Sequence, residues 1–137
     1  VLAGPRDAQG QVLESVGLFA DPAYGRRAGR RHSTPEPLGN TTIGVVATSA
    51  SLTKAQANRL AMVAHDGLAL AIRPCHTQHD GDTIFALATG AVEARDEFPR
   101  LCAVAPAVVA RAIVKAIKSA ESLAGIPSWR EVTGHDV

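Results

Sequence analysis

Aromatic residues make up only 4% of this 137-residue chain, which leaves few stacking platforms for single-stranded nucleic acid. A surplus of one charge is missing too. Lys and Arg number 14 against 13 Asp and Glu, a net charge of +1, so no nucleic-acid or other charged partner is selected by charge. No apolar run reaches the roughly 18 residues a membrane helix needs, and no charged-then-apolar leader opens the sequence; a soluble protein with no membrane partner is the expectation. Cysteine is scarce. Cys75 and Cys102 are too few to staple a domain of this size and stand in no CxxC spacing, so reduced thiols in a cytoplasmic protein are expected. What is present is apolar material: 46% hydrophobic residues and 20% charged suffice for one core, in a single domain or in one subunit of something larger. The opening VLAGPRDAQG, on Val1 rather than Met, reads as a piece of a longer protein.

The chain divides near residue 40. Residues 1–39 hold four of the eight prolines, Pro5, Pro22, Pro35 and Pro37, and with Gly25-Arg26-Arg27-Ala28-Gly29-Arg30-Arg31-His32 this predicts a mobile linker. The basic cluster has no aromatic interleaving and reads as solvated rather than as a nucleic-acid contact. Beyond it the pattern orders. Thr41 to Ser49, β-branched and small, predicts a strand buried on both faces. Thr53 and Gln56 form a capping box. Apolar positions Leu60, Val63, Ala64, Leu68, Ala71 and Ile72 then recur at helical spacing until Pro74. Asp82 to Thr89 predicts a second strand stopped by Gly90. A second helix is expected over Ala105 to Leu123, with Val109, Ala112, Ile113, Ala116, Ile117 and Ala120 on one face, Arg111, Lys115 and Lys118 on the other, and Gly125 as its stop. Strand, helix, strand, helix is an α/β order, and the many alanines allow close helix-to-sheet approach.

Three stretches carry candidate chemistry. In LGNTTIGVVAT, Leu38 to Thr48, a turn at Gly39-Asn40 leads into the strand, and Thr41 is an ordinary strand residue unless the Asn40–Thr41 bond is cut. Once cut, the α-amine of Thr41 can serve as base for its own hydroxyl, because an α-amino group titrates near 8, close enough to neutrality to take and return a proton. Taken alone, a turn followed by a packed strand is the simpler reading. Asp80-Gly81-Asp82 is in the first instance a solvated Asp-Gly turn, yet two carboxylates at the entry of a strand suit an ammonium and a hydroxyl. They would hold that amine and tune its pKa upward, against desolvation. Cys75-His76-Thr77-Gln78-His79-Asp80 lies on a loop without a second paired ligand set, which argues against a metal. His65-Asp66 reads as a polar pair at a helix edge, since adjacent helical residues diverge.

Gly39 to Thr48, Leu52 to Gln56, Ala64 to Leu68, Ala71 to Pro74 and Asp80 to Gly90 together resemble successive blocks of the self-processing L-aminopeptidase/D-esterase family, which includes the β-aminopeptidases and the nylon-oligomer endo-hydrolase. The resemblance runs from residue 41 to about residue 130, and Val1 to Asp7 resembles the end of that family's first subunit. It implies an α/β (α+β type) fold of stacked sheets between helix layers, like N-terminal-nucleophile hydrolases, of which this chain supplies part. It implies a precursor that cuts itself at Asn40–Thr41. Residues 1–40 would be the end of the first subunit plus linker and 41–137 the second subunit, with Thr41 as nucleophile. Asp80 and Asp82 match the paired acids of the nylon-oligomer hydrolase, where the aminopeptidase branch tends to carry Ser and Glu. The implied activity is hydrolysis of amide or peptide bonds in small molecules, with no cofactor and no metal. The implied partner is the upstream first subunit, which supplies the oxyanion donors, in a homo-oligomer of two-chain units. Two other classes stay open: an acetyl-transferring relative of the ornithine acetyltransferase type, which shares the threonine logic, and a processed structural or binding subunit without activity.

Overall fold

The structure, a computed structural model, describes residues 7, 9–23, 41–78, 80–93 and 97–134. Its elements run α1 (Ser15–Ala20), β1 (Ile43–Ala50), α2 (Lys54–Ala64), α3 (Asp66–Ala71), β2 (Thr83–Val92), α4 (Phe98–Ser119) and α5 (Trp129–Thr133). They fall into two compact units, Gly39–Ile113 and residues 1–38 with Val114–Val137.

In the first unit, β1 and β2 pair in parallel, with Ile43 opposite Thr83, Val45 opposite Phe85 and Ala47 opposite Leu87. Parallel neighbours need a crossover, and α2 with α3 provides it. The Thr53 hydroxyl accepts from the Gln56 N–H while the Gln56 side chain accepts from the Thr53 N–H, so the capping box forms as its spacing predicts. The single helix expected over this region is two, separated at His65, which is both the C-cap of α2 and the N-cap of α3.

Val46 and Ile84 point from the sheet onto Leu60, Ala64 and Leu68, and Ala105 and Val109 of α4 complete the core. Leu60 and Leu68 are its largest fully buried side chains. Gly67 permits this packing. A Cβ there would stand 2.5 Å from the Pro106 carbonyl oxygen and 2.6 Å from Val109 Cβ, so only glycine lets α3 lie this close to α4. The expectation that the first strand is buried on both faces holds for one face, and the second strand is exposed in the same way. On the other, Ile43 and Val45 are 70% and 63% exposed and Phe85 and Leu87 both 56%, because the helices packing on the core cover one side of the sheet. Strand β2 also runs past Gly90 instead of ending there. The register shifts between Thr48 and Ala50, and Gly90 takes φ +73°, a glycine bulge rather than a stop.

In the second unit, α1 forms within the stretch expected as linker, its N–H groups at Val16 and Gly17 capped by the Glu14 carboxylate. Residues 24–40, with the basic cluster and Asn40, lie outside the described residues. Helix α4 belongs to the first unit up to Ile113 and to the second from Val114; it begins at Phe98 and stops at Ser119, earlier at both ends than its apolar spacing suggested, and Pro106 sits inside it. Gly125 does not cap that helix. It closes a tight turn in which Leu123 and Ile126 exchange backbone hydrogen bonds and both central residues, Ala124 and Gly125, have positive φ. Ser128 caps α5, and the Lys118 ammonium lies 5.0 Å above the Trp129 ring.

Candidate active site

Parallel pairing puts the N-terminal ends of two strands at one edge of a sheet. The residues that precede them, Thr41-Thr42 and Asp80-Gly81-Asp82, are about 40 positions apart in sequence, yet the Thr83 N–H donates to the Thr42 carbonyl at 2.9 Å, and the two segments meet.

Asp82 is the hub. Its Oδ1 accepts the Thr42 N–H at 2.9 Å. Its Oδ2 lies 3.0 Å from His76 Nδ1 and accepts the His76 N–H at 3.3 Å. The side chain is only 7% exposed. Burial by itself pushes this carboxyl up, but the N–H groups of Thr42 and His76, the Thr42 hydroxyl and the His76 ring together hold it below the ordinary aspartate value. Hydrogen bonds to the charged form outweigh desolvation here.

Thr41 is exposed, and its hydroxyl faces Gly81. A Cβ at position 81 would come to 2.9 Å from Thr41 Oγ1. The carboxylate that meets this segment binds Thr42, one residue beyond the candidate nucleophile. Asp80 behaves differently. Its Oδ2 accepts the Thr77 N–H at 2.6 Å and its own N–H donates to the Thr77 carbonyl at 3.1 Å, which ties it into the loop that precedes the site. Asn40, the other half of the candidate cleavage site, lies outside the described residues.

His76 was legible in sequence only as part of a metal-like cluster, and here it grips Asp82. His65, read as a helix-edge residue, turns from the junction of α2 and α3 toward His76. The two rings are 4.8 Å apart at their centres, inclined by 37°, with His65 Nδ1 3.4 Å from His76 Nε2. Among the described residues no three His, Cys, Asp or Glu side chains gather as a metal would require; His79 lies outside them. Cys75 is a half-buried free thiol, pushed up by burial and then by the charges of Asp82 and Asp80. Among the described residues no helix is long and apolar enough to cross a membrane.

The fold and site define an α/β chain with a hydroxyl and carboxylate cluster at the strand entrances. The pattern of peptidase family S58 matches residues 12–129, and the chain belongs to that family, whose fold is of the N-terminal-nucleophile-hydrolase type. An uncharacterized aminopeptidase of Mycobacterium leprae is 50% identical over 103 residues, 66% of this chain and 28% of that protein. An uncharacterized aminopeptidase of Mycobacterium tuberculosis is 44% identical over 106 residues, 68% of this chain and 31% of that protein. The 6-aminohexanoate-oligomer endohydrolase of Paenarthrobacter ureafaciens is 36% identical over 95 residues, 68% of this chain and 25% of that protein. The chain thus spans less than a third of the length of these relatives.

Proposed function

We propose that this chain is the nucleophile-bearing part of a self-cleaving amide hydrolase. Residues 1–40 are the end of a first subunit with its linker and residues 41–137 the second. The observation that carries the reading is the meeting of Thr41-Thr42 with Asp82 and Gly81 at one sheet edge, in a chain of a peptidase family.

In the precursor, the Thr41 hydroxyl attacks the carbonyl carbon of Asn40, the C–N bond to Thr41 breaks as the nitrogen takes up a proton, and water then hydrolyses the resulting ester. The products are the Asn40 carboxylate and a free α-amine on Thr41. That amine, with a pKa of about 8, takes the proton of the same hydroxyl when the next amide is attacked and returns it to the leaving amine. Asp82 fixes the nucleophile through the backbone of Thr42, so its anchorage does not depend on Thr41 itself. Asp80, bound to Thr77, supports the loop or contacts substrate. The substrates are small peptides or oligoamides, as the printed names of the relatives suggest. The oxyanion donors, each worth about 100- to 1000-fold in rate, come from the upstream first subunit, and the two-chain units assemble as a homo-oligomer in the cytoplasm.

The test is hydrolysis of aminoacyl anilides and 6-aminohexanoate oligomers by the full-length protein. Thr41→Ala abolishes self-cleavage and turnover, and Thr41→Ser retains part of both. A Thr41→Ala protein that turns over at the parent rate contradicts the reading.

A further inference from the structure

His76 stands in the left-handed region, at φ +56°, which a residue with a Cβ occupies only when its surroundings hold it there. What holds it is a double grip on one atom. Its backbone N–H and its ring Nδ1 both meet Asp82 Oδ2, at 3.3 and 3.0 Å, while Asp82 Oδ1 is left to the Thr42 N–H. Behind it, His76 Nε2 faces His65 Nδ1 at 3.4 Å. We propose, resting on the site reading above, that His76 is a positioning residue that holds Asp82 in the orientation that anchors the Thr41-Thr42 segment, with His65 as its backstop.

Hydrogen-bond logic sets the order of protons along this line. Nδ1 of His76 carries the hydrogen given to the carboxylate. Its Nε2 then accepts from His65 Nδ1, or, when His76 is an imidazolium, donates to it. One added proton on the pair therefore preserves the line and strengthens the pairing with Asp82. Two added protons place N–H against N–H and open it. The groups facing His76 are Asp82, ahead of β2, and His65, at the junction of α2 and α3; Asp80 is bound to Thr77 in the same loop.

His76→Gly in the full-length protein separates this from a purely structural role. Glycine adopts positive φ freely and keeps the backbone N–H, so only the ring and its donor to Asp82 are removed. Asp82 then loosens, and a misplacement of about 1 Å at the nucleophile lowers kcat by on the order of 100-fold, with KM within about twofold. His65→Phe, which keeps a ring in place but removes the nitrogen, lowers kcat by less. A second readout is independent of turnover: in the Thr41→Ala background, the Asp82 carboxyl followed by carbon-13 NMR titrates at higher pH when His76 is replaced by Gly. Parent kcat in His76→Gly overturns the proposal, as does an unmoved Asp82 titration. A Thr41→Ala protein with parent turnover overturns the site reading instead, and the titration still judges the grip.

Discussion

Gly81→Ala separates activity from stability with one methyl group. Its φ lies outside the positive region, so alanine fits the backbone, and fewer accessible conformations in the unfolded chain add about 0.4–1 kcal/mol of stability. The new Cβ would nevertheless stand 2.9 Å from Thr41 Oγ1, where ordinary contact begins at 3.4 Å. The hydroxyl must therefore retreat by about 0.5 Å, or rotate away. A misplacement of about 1 Å at a reacting atom costs on the order of 100-fold in rate, so about half that displacement costs on the order of tenfold, and rotation of the hydroxyl costs more. Self-cleavage of the full-length protein, followed by the appearance of two chains on denaturing gels, should slow by about tenfold or more by this argument, while its thermal unfolding midpoint stays level or rises. Parent cleavage rates would show that the Thr41 hydroxyl does not act from this position. A drop in stability would show that Gly81 serves the fold instead.

Asp82→Asn keeps the shape but turns an amide N–H toward one of the N–H donors now bound by the carboxylate, which frees the Thr41-Thr42 segment to shift, and should slow both self-cleavage and turnover by on the order of 100-fold; Asp80→Asn should hurt less, measured on the same two readouts. The Asp82 carboxyl is held below its ordinary value, so its contribution to stability is complete above the unfolded pKa of about 3.9 and is lost as pH falls through the lower folded value. Urea unfolding at a series of pH values should accordingly show the gap between parent and Asp82→Asn closing in acid, and a constant gap contradicts this. Gly67→Ala drives a Cβ to 2.5 Å from the Pro106 carbonyl and 2.6 Å from Val109 Cβ, atoms that cannot swing aside, so overpacking falls toward the upper end of about 1–3 kcal/mol; less about 1 kcal/mol of helix propensity, it leaves a net loss of up to about 2 kcal/mol, read in the same unfolding assay.

The βαβ core was legible because each of its signals is local or periodic. Thr53 and Gln56 announce a capping box, Leu60, Ala64 and Leu68 keep helical spacing, and Val46 and Ile84 sit in β-branched runs. The break at His65 and the glycine bulge at Gly90 were not legible, since a helix break and a bulge depend on what packs against them. Residue type and position at the strand entrances made Thr41, Asp80 and Asp82 candidates, but only the family resemblance set them above a turn leading into a packed strand. That Asp82 binds Thr42 while Asp80 turns back to Thr77 depends on which face each carboxylate takes beside Gly81, and a two-residue spacing through glycine leaves that open. The contact between His65 and His76 joins residues 11 apart across a loop whose path no motif dictates.

Whether Thr41 is a nucleophile released by cutting is decided by intact-mass spectrometry of the full-length protein after prolonged incubation. A C-terminal chain that begins at Thr41 with TTIGVV should form in the parent and in Thr41→Ser and be absent in Thr41→Ala. A chain that stays whole with its upstream region present, or one cut at any bond other than Asn40–Thr41, contradicts it.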